Sequence, residues 1–444
     1  MSVNIAIECI KQHISALAKI GNLGEDPEDG FLRASWSDEE TNAMEYIRGV
    51  GQAHGLLAEY DDVGNLYLST PGEVKDIIQV GSHIDTVPWG GMYDGGAGIL
   101  IGLEAILSLK DQWDSFSRRL ELVIWRGEES ATFDEMCKGS KAAFGISDPK
   151  VLENTFEGKT LEAAICEQGF NPSPIKECRQ ALSQEHIDLI TAHFEVHIEQ
   201  ANKLENDRCD IGVVSSIRGT RRLRVIVTGE AAHSGGTPMG SDYRRDATLA
   251  IAYMLVNLDQ LASQSLDQGR DLVQTAGVLN SDCNYNHKHP QVSANAMTKV
   301  SPYGYFTLDI RSNDSKFLVA YVSQALIQIE DVAAQFRVRV NIQSICDLSP
   351  MEALDEGLQN LVIEACLKLN YPFQVMTSGA LHDLVVVTSQ LRSNGKPIPG
   401  ALIFIPCKDG ISHNPKEYSS PEEIWKGAMV LSSVMERIAS GGEL

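Results

Sequence analysis

Apolar residues change period repeatedly along the chain, and the changes divide it into short extended runs and longer helical ones. Ile77-Ile78-Gln79-Val80 is a continuous run of the kind that fills a buried strand. Ala97 to Leu109 then sets Leu100, Leu103, Ile106 and Leu107 at helical spacing, and Leu120 to Trp125 is extended again. Strand, helix and strand in that order predict a β-α-β unit, and the chain up to about Ile211 reads as a sheet with helices on its faces. Beyond that point the texture changes. Leu223-Arg224-Val225-Ile226-Val227 alternates like a half-exposed strand, Asp246 to Leu261 is an amphipathic helix, and Tyr305 to Arg311 is another strand. Asp314 caps a helix running to about Phe336, and Arg337 to Ile345 alternates once more. After Pro350 the first texture resumes: helix 353–369, strand 373–377, helix 381–391, strand 401–405 and a terminal helix from Pro421, a good first-turn residue.

The predicted fold is therefore α/β: a mixed-sheet domain with helices on both faces, built from residues 1–211 and 350–444, interrupted by a smaller α+β domain at 212–349 with two helices and three or four strands. No internal repeat, low-complexity tract or long linker breaks this pattern, and Asn394 to Gly400 is a turn-rich loop. A length of 444 residues, beyond the size at which one core keeps growing, agrees with two domains.

Charge narrows the function more than composition does. Hydrophobic residues at 43% and charged residues at 22% are ordinary for a folded protein, but a formal net charge of -23 repels phosphate backbones and anionic lipid. No nucleic acid and no membrane partner is expected, which leaves a small molecule. No run approaches the ~18 apolar residues of a membrane span, and Met1 to Ser35 lacks the pattern of a secretory signal, so the expected compartment is the cytoplasm. Nine cysteines, an odd number without a C-x-x-C pair, read as reduced thiols.

Four segments carry candidate chemistry, each at the end of a predicted strand, where open sheets present ligand-binding groups. In Gly81-Ser82-His83-Ile84-Asp85, His83 offers a neutral nitrogen to a metal while Asp85 can hold its other ring nitrogen. Asp94 opens the glycine-rich turn Gly95-Gly96-Ala97-Gly98, where a carboxylate can bridge two cations while the backbone crowds close. In Arg126-Gly127-Glu128-Glu129 the two carboxylates repel and need a compensating cation. If strand geometry persists there, they point to opposite sides, one to a metal and one to its water. An alternating strand over His193 to Gln200 puts Glu195, His197 and Glu199 on one face, which is either wet or in contact with metal and substrate. Finally, His413 follows the strand at 401–405, and the interrupted sheet would return it to the same edge. Taken singly, each piece is equally at home in a solvated loop; together they make three histidines and two carboxylates, nitrogen and oxygen donors suited to zinc, manganese or cobalt.

With these motifs in this order, the chain resembles the dinuclear metallo-aminoacylase and carboxypeptidase superfamily, most closely its hydantoinase/carbamoylase branch of N-carbamoyl-L-amino-acid hydrolases, allantoate amidohydrolases and β-ureidopropionases. The match extends from Arg33 and Val63-Gly64-Asn65-Leu66 to Ile411-Ser412-His413-Asn414-Pro415-Lys416-Glu417-Tyr418. The resemblance implies two divalent ions per subunit, zinc or manganese with cobalt or nickel as alternatives. His83, Asp94 and His197 would hold one ion and Asp94, Glu129 and His413 the other, with Glu128 as general base. It implies that the inserted domain is a lid that forms a homodimer, and that His233, in Gly229 to Gly235, reaches the active site of the other subunit to stabilise an oxyanion. Arg311, in Asp309-Ile310-Arg311, would hold a substrate carboxylate, and Gln200 and Asn295 would contact substrate. His382 and Asp383, in Ser378 to Asp383, would support the metal ligands, as would Asp85. Three departures stand out: Ala201 replaces the family's usual Gly, Leu381 replaces another, and Asn295 lies further from Asp309 than usual, so that Thr298 is an alternative for its place.

The mechanism this implies is hydrolysis of a linear amide C–N bond in a ureido or N-carbamoyl acid. Water bridging two cations loses a proton near neutral pH, and Glu128 passes that proton to the leaving nitrogen. The small-molecule partner would be a carboxylate, because Arg311 offers a planar two-pronged donor. An N-acyl-amino-acid deacylase or dipeptidase is the alternative within the superfamily, and an inactive metal-binding homologue the alternative outside catalysis. Gly95-Gly96-Ala97-Gly98 lacks the G-x-G-x-x-G spacing and following Lys of nucleotide loops.

Overall fold

The structure, a computed structural model, describes residues 5–72, 76–281 and 295–442. These group into two compact units: Met1–Ser215 with Ala353–Ser378 and His382–Leu444, and Ser216–Glu352 with Gly379–Leu381.

The first unit is organised by an eight-stranded mixed sheet in the order Leu57–Tyr60, Leu66–Ser69, Arg119–Trp125, Ile77–His83, Ile190–Ile198, Gly400–Ile405, Ile211–Ile217, Phe373–Ser378. Ile77–His83 runs parallel to both of its neighbours, and Gly400–Ile405 runs parallel to Ile190–Ile198. Four consecutive strands therefore end on one edge of the sheet, and the segments that follow them emerge side by side there. Every residue of Ile77–His83 and of Gly400–Ile405 is buried; Gly400–Ile405 reads as a continuous apolar run, and Ile77–His83 is interrupted by Gln79, whose amide donates to Glu121 Oε1 at 2.8 Å.

Helices cover both faces, as the sequence predicts. On one, Gly96–Ser108 is buried from Gly96 to Ile106 and packs with the terminal helix Pro421–Ala439 in the main core, which explains why it lacks a polar stripe. The terminal helix starts from a capping box between Ser420 and Glu423, with Pro421 in the first turn. On the other face, Trp125 meets Phe144 and His193, and Leu384 and Thr388 crowd Gly400. The helix expected at 381–391 is confined to Asp383–Thr388, because His382 is extended and caps it.

Among the described residues the second unit holds an antiparallel sheet of five strands, where three or four were expected, and a short antiparallel pair of Ala232–His233 with Lys299–Val300. Gly219–Thr228 pairs with both Tyr303–Ser312 and Arg339–Leu348, while the short strands Val273–Thr275 and Leu279–Asn280 pair with Tyr303–Ser312. At three and two residues, the last two are too short to carry a periodic signature. Burial alternates along Tyr303–Ser312, turning Phe306, Leu308 and Ile310 toward the helices Ala247–Asp267 and Ser315–Phe336. Asp314 caps the second of these through Phe317 N. That helix is long and apolar enough by length and composition to cross a membrane, but Leu318, Tyr321, Ala325, Ile329 and Val332 recur at the three- and four-residue spacing of a helix lying on a sheet.

Candidate active site

Each of the four parallel strands delivers part of one cluster in the first unit, buried except at His413, whose side chain is 48% exposed. His83 is the last residue of its strand, and His197 lies one residue before the end of its own. Glu128 and Glu129 do not point to opposite sides. The strand before them stops at Trp125, and Gly127, at φ +61°, turns the chain so that both glutamates and His83 present ligand atoms within 4.8 Å of one another. Asp85 fixes that turn, since its carboxylate accepts the backbone N–H of Glu128 at 3.1 Å and of Glu129 at 3.2 Å.

The imidazoles are oriented for metal binding. His83 Nδ1 lies 3.2 Å from the Asp85 carbonyl and 3.3 Å from its carboxylate, and His197 Nδ1 lies 2.9 Å from the Ile198 carbonyl. Protons on both Nδ1 atoms leave the Nε2 lone pairs facing Asp94 Oδ1, at 3.4 and 2.9 Å. The N–H of Gly95 donates to His197 Nε2 at 3.1 Å, consistent with that tautomer. His413 Nε2 lies 3.2 Å from Asp94 Oδ2 and 3.1 Å from Glu129 Oε1. Asp94 thus gives one oxygen to His83 and His197 and the other to His413. Gly95 is obligatory here: at φ +61°, a Cβ would fall 2.4 to 2.6 Å from three atoms of the His83 ring.

Electrostatics fit the same donor set to divalent cations. Burial opposes ionisation of Asp94, yet His197, His413 and His83 hold it well below the usual carboxylate range. Burial opposes charging of His83 as well, but Asp85 and Asp94 raise it well above its ordinary value, and Asp94 and Glu129 push His413 up to about 11. Around them stand acids that resist ionisation. Burial pushes Glu128 well up, helped by Glu129 and Asp383 and opposed by His83. It likewise lifts Glu195 to about 7 and Asp383 to about 6. Carboxylates gathered this densely, with imidazoles among them, offer the donor set that suits a divalent cation. His83/Asp94/His197 and Asp94/Glu129/His413 are each compact enough to hold an ion.

Other residues fall into place around this centre with mixed outcomes. Gln200, at φ +58°, donates to Asp94 Oδ2 at 2.6 Å, and its buried Oε1 has no hydrogen-bond partner among the described residues, so it can accept from a bound molecule. The His382 ring packs edge-on against His197 with centroids 4.6 Å apart, its Nε2 on Ser378 Oγ at 3.1 Å. Asp383 accepts from Ser140 Oγ. Glu195 accepts from Ser82 Oγ at 3.3 Å and Leu384 N at 2.8 Å, tying strands to a helix. Glu199 does not share their face, because the strand ends at Ile198; it accepts the N–H groups of Lys203 and Leu204.

Sequence reasoning assigned no role to Glu417, although it lies in a quoted motif. Its Oε1 accepts from Tyr93 N and Asp94 N, both at 2.9 Å, and its Oε2 accepts from Ser412 Oγ at 3.1 Å and His413 N at 3.2 Å. One buried carboxylate thereby couples the Asp94 turn to the His413 loop. Its only sequence signal is an acid four residues after His413, in a turn that Asn414 O closes onto Glu417 N. Cys137 Sγ, 3.5 Å from Glu128 Oε1, was also missed. Cys9, Cys137, Cys166, Cys178, Cys209, Cys366 and Cys407 are free thiols, and Cys283 lies outside the described residues.

His233, Asn295 and Arg311 belong to the second unit. His233 is exposed, and its Nδ1 accepts from Gly235 N at 3.1 Å and Gly236 N at 3.0 Å, which puts the proton on Nε2. Asn295 is used within its own loop, donating to the Ser281 carbonyl and accepting from Ser301 Oγ at 3.1 Å. Thr298 contributes its carbonyl to Ser234 N at 3.0 Å. Arg311 grips Asp309 through Nε and Nη2 at 2.8 to 3.2 Å, and its Nη1 donates to the Gly379 carbonyl at 2.6 Å.

Known proteins resemble this chain along nearly its whole length. The chain is 28% identical to an N-carbamoyl-L-amino acid amidohydrolase of Geobacillus stearothermophilus over 96% of its own length and 97% of the relative's. It is 30% identical to the allantoate amidohydrolase of Escherichia coli K12, over 95% of this chain and 96% of that one. An amidase of the hydantoinase/carbamoylase family from Burkholderia multivorans superposes with a TM-score of 0.83 at 27% identity, covering 99% of this chain and all of the other. Because the profile of peptidase family M20/M25/M40 matches residues 80–437, spanning the strand end at His83 through the loop at His413, the chain belongs to that family and, within it, to the hydantoinase/carbamoylase hydrolases.

Proposed function

We propose that the protein is a two-metal amidohydrolase that cleaves the linear amide C–N bond of a ureido acid of the N-carbamoyl-L-amino acid or allantoate type. The observation that carries this is the Asp94 carboxylate, set between His83 and His197 on one oxygen and His413 on the other, beside a buried Glu128 whose Oε1 lies 3.5 Å from Cys137 Sγ. In this reading His83, Asp94 and His197 hold one ion, and Asp94, Glu129 and His413 hold the second. Bound zinc or manganese would supply Lewis acidity and draw the pKa of the attacking water toward neutrality. Glu128, whose proton affinity burial raises, takes the proton from that water and returns it to the departing nitrogen. His233 Nε2–H donates to the developing oxyanion from the other subunit, Gln200 Oε1 accepts from the ureido N–H, and Arg311 binds the carboxylate. Asn295 or Thr298 completes the contacts to substrate. The second unit acts as lid and dimer contact, a role supported by the apolar Leu249, Tyr253 and Val256 exposed along one face of Ala247–Asp267. The reaction belongs in the cytoplasm.

Ammonia release tests the proposal. Enzyme reconstituted with manganese or zinc should liberate ammonia from allantoate or from N-carbamoyl amino acids. Release of free acid from N-acetyl amino acids or dipeptides, without turnover of ureido compounds, would instead establish the deacylase or dipeptidase alternative.

A further inference from the structure

The loop that follows the two adjacent glutamates closes around a buried ammonium. Lys138 is 2% exposed, and its Nζ donates to three backbone carbonyls: Glu129 O at 2.8 Å, Thr132 O at 3.0 Å and Glu135 O at 2.7 Å. An ammonium carries three N–H donors, so all of them go to this one loop and none to a carboxylate. Backbone bonds shut the same loop at its base. Cys137 N, Lys138 N and Gly139 N donate to the carbonyls of Glu128, Gly127 and Arg126 at 2.8, 3.0 and 2.8 Å. The lysine stem passes beneath the turn at Gly127, where a Cβ would lie 2.7 Å from Lys138 Cε.

Both the donors and the charge of Lys138 bear on the metal ligands above it. Phe133, Asp134 and Cys137 sit at φ +62°, +50° and +54°, so the loop holds three non-glycine residues in the left-handed region. Such conformations persist only where the surroundings over-determine them, and the fixed point inside this loop is Nζ. Taking an ammonium out of water is costly, and here the negative charges of Asp85, Glu128 and Glu40 offset that cost without an ion-paired partner. Resting on the two-metal reading of the site, we infer that Lys138 is a positioning residue for the second ion. By holding the Glu129 carbonyl and offsetting the surrounding negative charge, it aims the Glu129 carboxylate, whose Oε1 lies 3.1 Å from His413 Nε2, at the ion shared with Asp94 and His413.

The test is competition of the full-length protein with a chelating indicator for manganese or zinc, in wild type, Lys138→Met and Lys138→Ala. Methionine keeps the length of the stem and removes the charge, whereas alanine leaves a channel the shape of a primary alkylammonium. Both variants should bind the second ion at least about tenfold more weakly, as for other groups that support metal ligands. n-Propylammonium chloride, which returns the deleted carbons and nitrogen, should restore most of the affinity of Lys138→Ala. It should do nothing for Lys138→Met, whose side chain fills the channel, and tetramethylammonium chloride, a cation without N–H groups, should rescue neither. Wild-type affinity in Lys138→Met overturns the inference and leaves the two-metal reading standing. So does a Lys138→Ala defect that n-propylammonium leaves unchanged, read as metal affinity or, where the variant does not fold, as recovery on refolding. A wild-type protein that takes up no divalent ion overturns the two-metal reading itself.

Discussion

Glu417 is where a single substitution should separate metal binding from folding. Glu417→Gln keeps Oε1 for Tyr93 N and Asp94 N but replaces Oε2 with an amide nitrogen that faces the His413 N–H, donor against donor. Ser412 Oγ can rotate away and still reach Asp94 Oδ2, 2.8 Å off, whereas the backbone of His413 cannot. One buried N–H left without an acceptor costs about 1–3 kcal/mol. That cost falls on the loop that aims His413 at Asp94 and Glu129, so it is met when the loop must hold a cation. Support residues behind metal ligands typically change affinity by about 10- to 100-fold, the same range expressed as an equilibrium constant. The assay is competition of the purified variant with a chelating indicator for manganese or zinc, together with thermal unfolding of the metal-free protein. Affinity should fall by at least about tenfold, and the metal should raise the thermal midpoint less than in wild type. Wild-type affinity in Glu417→Gln would refute the view that this carboxylate couples the two metal-bearing loops.

Gly95→Ala forces a methyl within 2.4 to 2.6 Å of the His83 ring at a backbone angle that alanine resists, so indicator titration should show metal affinity reduced about tenfold or more. Glu40 accepts from Trp36 N, Gly127 N and Arg126 Nη1 in full burial, the last at 2.7 Å, so Glu40→Ala strands a buried guanidinium and should cost about 3–5 kcal/mol by urea unfolding. His193 supplies a pH signature. Burial holds it down to about 3 in the fold, whereas the unfolded chain takes up a proton below about 6.5, so the unfolded state binds more protons and stability is lost as pH falls from 6.5 toward 3. By pH 5 that loss is roughly 2 kcal/mol. His193→Gln should remove this component from unfolding measured at pH 7 and pH 5.

Legibility in the sequence followed the physics of each element. Strands buried on both faces announce themselves as apolar-rich runs, unbroken in Gly400–Ile405 and interrupted by Gln79 in Ile77–His83, and because four such strands lie parallel, the motifs at their ends had to converge. His83, Asp94, Glu129, His197 and His413 were readable for that reason, since each lies just at or beyond a strand end. Short-range geometry was not. The expected divergence of Glu128 and Glu129 assumed strand dihedrals where Gly127 adopts a left-handed turn, and Glu199 was assigned a face beyond the last residue of its strand. Glu417 escaped notice because three of the four groups that donate to it, Tyr93 N, Asp94 N and His413 N, are backbone N–H groups, which leave no residue type to find by pattern. The segment from Lys138 to Leu189 folds into helices of four to seven residues, too short for a hydrophobic period to register.

The central claim is that Glu128 moves the proton while its neighbours hold the metals. The most direct measurement is metal content and ammonia release for Glu128→Gln beside wild type, with a carbamoyl substrate that the wild type turns over. The account predicts wild-type metal stoichiometry and at least a hundredfold slower release, at the lower end of the roughly 10²–10⁴ that general acid-base groups contribute. Turnover near the wild-type rate in a fully metallated variant would contradict it.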